Sequence, residues 1–187
     1  MKIVQIVATG MGYREHDVST ETWCLLKAFL KGVRADRIFS MDGLNLDMVR
    51  KNEITKDEIQ KKIGDTPFIT NDNFPLEKFP YQYFSNSVCY MLALAIEEGY
   101  ERIELYGVNQ AGLFEYMEQR KAVEFWLGVA IGRGIEIYIH PPTQLLKNKF
   151  DLPYGYETRE GQKTERKVHG AMKKIIDLIG YMQGHRK

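Results

Sequence analysis

The chain has 187 residues, enough for one domain with a sizeable core and few for two. Hydrophobic residues make up 44% and charged residues 27%, which argues against disordered and fibrous classes. Its 26 basic and 25 acidic side chains leave a formal charge of +1, so no whole-molecule field steers it toward nucleic acid or an anionic membrane.

The first strand expected is "KIVQIVAT", a nearly continuous apolar run of the kind found where both faces of a sheet are covered. It breaks at Gly10-Met11-Gly12 and passes through "YREHDVST" to an expected helix, "TETWCLLKAFLKG", capped by Ser19 or Thr20 and closed by Gly32. A second strand, "DRIFSM", ends at Asp42-Gly43. Residues 44 to 64 are charged and helical in pattern, with Thr55 and Glu58 placed for a capping box. A third strand, "PFIT", leads into the irregular, aromatic "NDNFPLEKFPYQYF". The helix "NSVCYMLALAIEEG" follows, with Ser85 as its expected cap and Gly99 as its stop.

The strand "RIELYG", the helix "EQRKAVEFWLGVAIGRG" and a last strand, "IEIYIH", complete the pattern. Strands alternating with helices imply βαβ units, so the fold class expected is α/β. The reading is a Rossmann-like three-layer sandwich with a mostly parallel sheet and a C-terminal helical appendage. The boundaries expected are residues 1–157 for the Rossmann-like domain and 158–187 for an amphipathic helix. In that helix Val168, Met172, Ile175, Ile176 and Ile179 share one stripe and should dock on the body or on a partner chain. A homo-oligomer is therefore expected.

Cys24 and Cys89 sit in apolar helical patterns without metal spacing and read as reduced core residues. His16, His140, His169 and His185 lie in separate segments, so no metal site is expected. No apolar run approaches the roughly 18 residues of a membrane span. The N-terminus enters a strand directly rather than a signal peptide, and a cytoplasmic protein is expected. The basic stretch from Lys163 to Lys187 reads as a solvated helix rather than a nucleic-acid arm.

Open parallel sheets bind ligands outside the carboxyl ends of their strands, where this sequence places its unusual loops. Gly10, Gly12, Tyr13 and Arg14 follow the first strand, Asn109 the strand "RIELYG", and His140, Pro142 and Thr143 the last strand. The helix start at Ser85, Asn86 and Ser87 offers backbone N–H groups at a positive dipole end, which suits a phosphate or carboxylate. Gly-x-Gly without a third glycine is not the dinucleotide fingerprint, and it fits a tight turn as well as a ligand loop.

Within "EYMEQRKAVEFW", Tyr116, Arg120 and Glu124 recur at i, i+4 and i+8, with Gln119 beside them. Val123, Trp126, Leu127, Ala130 and Ile131 form the apolar face. An exposed Arg–Glu pair of about 0.3–0.5 kcal/mol accounts for the stripe, and pattern alone favours it slightly. The alternative is that Arg120 grips an anion, oriented by Glu124, while Tyr116 stacks. Glu115, Glu124 and His140 are the base candidates.

Two resemblances add to this reading. "YFSNSVCYMLALAIEEGYERIELYGVNQ" and "IEIYIHPPTQLLK" resemble the central block and final strand of bacterial sialyltransferases that use CMP-sialic acid, over residues 83–147. The archaeal-type 6-hydroxymethylpterin diphosphokinase family shares that Rossmann-like frame. The chain also looks like small proteins of tailed bacteriophages over residues 1–157, through Tyr106–Asn109, Glu115–Arg120, Leu145–Lys147 and Tyr154–Glu157.

The sialyltransferase resemblance implies nucleotide contacts at Gly10, Gly12, Asn86, Ser87, Pro142 and Thr143. The family's N-terminal Gly-Asn-Gly-Pro-Ser is Gly10-Met11-Gly12-Tyr13-Arg14 here, and "NQAGLFEYME" holds no counterpart of its catalytic histidine. The expected function is a phage-encoded, glycosyltransferase-like protein that binds a nucleotide or nucleotide-sugar in the host cytoplasm, with transfer to nucleic acid or glycan. The alternatives are a non-catalytic protein that sequesters a nucleotide signal, and a structural assembly protein.

Overall fold

The computed structural model describes residues 1–110 and 115–147, with the side chains of 115–117 also outside the description. The chain divides into two compact units, Met1–Leu145 and Leu146–Lys187, and the sheet with all its helices belongs to the first. The expected boundary at residue 157 and the helix expected over 158–187 lie outside the described residues.

Six strands form one sheet in which every pairing is parallel: β1 (Ile3–Val7), β2 (Thr22–Leu25), β3 (Arg37–Phe39), β4 (Phe68–Ile69), β5 (Arg102–Tyr106) and β6 (Glu136–Ile139). Their order across the sheet is β4-β3-β2-β1-β5-β6. The chain thus runs outward from β1 to β4 and then jumps to β5 on the other side of β1. The topological switch point falls between β1 and β5, where a crevice opens beyond the strand ends. The sheet with its flanking helices is the α/β Rossmann-like architecture expected.

One expected element is corrected. "TWCL" is a strand, β2, where the sequence pattern suggests the start of a helix, and the helix α1 is only Leu26–Leu30. Ser19 and Thr20 cap no helix; both bond the Asp17 carboxylate in the loop before β2. Thr22, Trp23 and Cys24 are at most 1% exposed, so the segment is buried on both faces and shows no alternation. A four-residue buried strand followed by a five-residue helix has no periodicity of its own to read. Without β2, β1 and β3 would have no common neighbour.

The charged region 44–64 resolves into two short helices, α2 (Asp47–Arg50) and α3 (Lys56–Ile63). The expected capping box opens α3: the Glu58 N–H donates to Thr55 Oγ1, and the Thr55 N–H donates to Glu58 Oε2. Ile59 and Ile63 of α3 pack with Leu26, Ile38 and Leu46 beneath the β2–β3 half of the sheet.

On the opposite face lie α4 (Ser87–Glu97) and α5 (Glu115–Gly132). Eight residues of α4 are buried, which fits a helix covered both by the sheet and by α5. Its cap is Asn86, whose Oδ1 accepts the Cys89 N–H at 3.2 Å, and not the expected Ser85. Ser85 Oγ instead donates to the Gln119 carbonyl of α5. The buried face of α5 is Ala122, Val123, Trp126, Leu127 and Ala130, whereas Ile131, expected on that face, is 51% exposed.

The aromatic segment 71–84 has little regular structure because it supplies side chains rather than backbone to the core. Phe84 stacks on Trp126 and on Tyr90, and Phe74 stacks on Phe79. Trp126 Nε1 donates to the Tyr83 carbonyl at 2.9 Å, fastening α5 to this layer. At the amino end of the sheet, Glu21 accepts from Trp23 Nε1 and from the Tyr100 hydroxyl. Arg37 lies 4.5 Å over the Trp23 ring and pairs with Glu98.

Two expectations follow. Both free cysteines are buried, and burial pushes the Cys24 thiol up to about 12, so neither is a competent nucleophile in the native state. Ellman's reagent should label them only as the chain unfolds; rapid native labelling at Cys24 would contradict a central β2. Trp23→Ala should cost roughly 3–5 kcal/mol in urea unfolding, a core-truncation penalty. A cost below about 1 kcal/mol would place Trp23 outside the core.

Candidate functional site

Beyond the carboxyl ends of the strands lies a cleft of about 500 Å³. Its walls come from four places: Thr9 and Gly10 after β1, Lys27 after β2, Ser40 and Asp42 after β3, and Gly107 to Gln110 after β5. The start of α4 closes the remaining side with Asn86, Ser87 and Val88, joined by Gln119 of α5. Leu25, Phe39, Leu46 and Val108 add apolar surface.

The β1 and β5 loops are locked together. The Gly10 N–H donates to the Gly107 carbonyl at 2.9 Å, and the Ala8 N–H donates to the Tyr106 carbonyl. A Cβ at Gly10 would fall 1.6 Å from Asn109 Oδ1 and 2.6 Å from the Gly107 carbonyl oxygen. Only glycine allows this approach. Asn109 is held from the other side as well: its Nδ2 donates to the Pro142 carbonyl, and its own carbonyl accepts the Gln144 N–H. Thr143 is 7% exposed and donates its hydroxyl to the Val108 carbonyl. Pro142 and Thr143 therefore brace the β5 loop from outside the cleft.

At the α4 start, the Asn86 side chain caps Cys89. The Ser87 and Val88 N–H groups have no partner among the described residues. Ser87 Oγ accepts weakly from the Met41 N–H at 3.4 Å, tying the helix to the end of β3. Asn86 Nδ2 reaches Gln119 Oε1 at 3.4 Å. Lys27 and Asp42, both exposed, are the charged side chains on the described lining.

Several residues singled out by sequence stand elsewhere. Ser85, Arg120 and Glu124 are not on the lining; Arg120 Nε donates to Glu124 Oε1 at 2.7 Å along α5, both about a quarter exposed. The side chains of Glu115 and Tyr116 lie outside the described residues. Gly12 has φ +80 at the start of a short 3-10 turn, Tyr13–Glu15, and a Cβ there would fall 2.6 Å from His140 Cδ2. Tyr13 packs toward Val7, Cys24 and Tyr106, while Arg14 lies on its ring with Nε donating to its hydroxyl. His140 stacks on Tyr106 with centroids 5.3 Å apart, reaches Glu15 at 3.1 Å and meets the Tyr138 hydroxyl at 3.1 Å. Burial and the neighbouring Glu104 carboxylate push the Tyr106 phenol up to about 12.

Of the residues singled out, Gly10, Asn86, Ser87, Asn109 and Gln119 meet in the cleft. Sequence reasoning passed over Lys27 because its strand was read as helix, so its place at a strand end was invisible. Thr9, Asp42 and Gln110 lay in loops recognised as strand ends, without a signal to separate lining from turn. Among the described residues no cluster of three or more His, Cys, Asp or Glu could hold a metal ion. No described helix is long and apolar enough to cross a membrane.

Comparison with protein-family models finds no match, and comparison with curated proteins finds none either. Among solved structures, the chain overlaps the sialyltransferase CstII from Campylobacter jejuni in complex with the substrate analogue CMP-3FNeuAc. That overlap has a TM-score of 0.42 and 20% identity over 74% of this chain and 80% of that one. A CstII structure with cytidine-5'-monophosphate gives 0.41 and 17%, over 89% of this chain and 100% of that one. Overlaps at this score transfer neither ligand nor residue roles, which here rest on the chain's own geometry.

The loop interlock makes a sharp expectation. Gly10→Ala should destabilise by roughly 1–3 kcal/mol, as overpacking does, measured by urea unfolding. Asn109→Ala in the same chain should recover part of that loss, leaving a coupling of about 1 kcal/mol between the two sites. Strictly additive effects would mean that the two loops do not meet as described.

Proposed function

We propose that the chain binds a nucleotide or nucleotide-sugar in the switch-point cleft, as a glycosyltransferase-like protein. The observation that carries this reading is the pair of N–H groups at Ser87 and Val88, unpartnered among the described residues, on a cleft that the β1 and β5 loops also line. Two adjacent amides at the positive end of an 11-residue helix accept a phosphate without further rearrangement. Lys27 adds an exposed positive charge from the β2 side. The apolar surface of Leu25, Phe39, Leu46 and Val108 suits the ring faces of a nucleoside.

Transfer of a sugar from such a ligand requires stabilisation of the leaving phosphate, which the α4 amides and Lys27 supply. It also requires a base for the acceptor hydroxyl. Asp42 is the carboxylate on the described lining, and we assign it that role. On this reading the acceptor is a hydroxyl of nucleic acid or glycan. A second reading, retention of the ligand without turnover, is favoured by the separation of His140 and Glu124 from the cleft.

Thermal shift against nucleoside monophosphates, diphosphates and nucleotide-sugars tests the binding reading. At a hundredfold excess over Kd, stabilisation of about 2.7 kcal/mol is expected, visible as a rise of several degrees. Lys27→Ala should weaken the response to phosphorylated ligands while leaving unliganded stability within about 0.5 kcal/mol. No stabilisation by any member of the panel would sink the proposal. Mass spectrometry after incubation with a nucleotide-sugar then separates the two readings: free nucleotide with Asp42 intact and none with Asp42→Asn indicates turnover, the sugar passing to water or to an added acceptor hydroxyl, and intact ligand indicates retention.

A further inference from the structure

The nucleotide reading of the cleft leaves open which part of the ligand is recognised. Gln110 bears on this. It stands on the cleft wall just beyond β5, with φ +48, a left-handed backbone conformation that non-glycine residues adopt rarely and that gathers at ligand sites. Its side-chain Oε1 is shut away from solvent and has no hydrogen-bond partner among the described residues. A buried acceptor without a donor is uncommon in a native structure and calls for a physical reason.

The other carboxamides of the cleft are engaged. Asn109 donates to the Pro142 carbonyl and fills the space above Gly10. Asn86 caps α4 and reaches Gln119. Turning Gln110 toward the cleft breaks no hydrogen bond among the described residues and lets its acceptor meet a donor on the ligand. A carboxamide presents one donor and one acceptor side by side, which matches the planar edge of a nucleobase and not a phosphate, which carries acceptors alone.

We infer that Gln110 is a specificity-determining residue that reads the edge of the nucleobase. Its Oε1 accepts an N–H of the base, and its Nε2 donates to the neighbouring base acceptor. This assignment rests on the nucleotide reading of the cleft. It places the base at the β5 side, with the phosphate at the α4 start.

The test is calorimetric titration of the full chain with AMP, GMP, CMP, UMP and ribose 5-phosphate. The tightest nucleotide should bind at least about tenfold better than ribose 5-phosphate, the discrimination expected of a bidentate base contact. Gln110→Leu should weaken that nucleotide by about tenfold and flatten the ranking of the four, while ribose 5-phosphate itself is unchanged. Gln110→Glu, which keeps acceptors and loses the donor, should reorder the four nucleotides. Far-UV circular dichroism and the unliganded Tm of both variants report folding, and ribose 5-phosphate binding reports an intact phosphate end. An unchanged ranking and an unchanged nucleotide-to-ribose 5-phosphate ratio in both variants would overturn the inference and leave nucleotide binding standing. Absence of binding by all five probes to the wild-type chain would overturn both.

Discussion

The site depends on one close contact: the backbone of Gly10 lies against the β5 loop with no room for a side chain between them. β1 and β5 are neighbours in the sheet but far apart in sequence, so their outgoing loops must part or interlock at the switch point. Here they interlock through the Gly10–Gly107 hydrogen bond and through Asn109, which occupies the place of the missing Cβ. That contact fixes one wall of the cleft. The α4 start forms another wall, held by the Asn86 cap and the Ser87–Met41 contact. The α4 amides and the β5 loop, proposed to meet phosphate and base, are thus both held by defined contacts.

Several polar groups singled out in sequence as ligand-binding or catalytic candidates serve structural contacts. Asn109 and Thr143 bind backbone carbonyls, and Ser85 joins α4 to α5. His140 stacks on Tyr106 and pairs with Glu15, securing the end of β6 to the turn after β1. Among the described residues, a pair of amides, the Thr9 hydroxyl, Lys27, Asp42 and the carboxamide of Gln110 remain for a ligand. On the proposed reading that set recognises the ligand and stabilises a departing phosphate, with Asp42 as the proposed acid–base group.

Much of the fold was legible because its longer elements carry strong local signals. The apolar run of β1, the all-round apolar helix α4 with Gly99 behind it, and the Thr55–Glu58 capping box each fixed an element. β2 was not legible, since four residues buried on both faces show no alternation and merge into α1. Ile131 failed because a helical stripe predicts which residues share a face, not how far along the helix that face stays covered. In the site, strand-end loops were readable as loops. The engagement of Asn109 arises from contacts with the loop after β1 and with the segment after β6, which no local pattern encodes.

The central claim is that the ligand sits at the β1–β5 switch point against the start of α4. Amide chemical-shift mapping in a 15N-labelled chain titrated with a nucleoside monophosphate tests it most directly. The account predicts that the largest changes fall on Thr9, Gly10, Ser87, Val88 and Gly107 to Gln110. Changes centred instead on the Arg120–Glu124 stretch of α5, or on the amino end of the sheet around Trp23 and Tyr100, would contradict it.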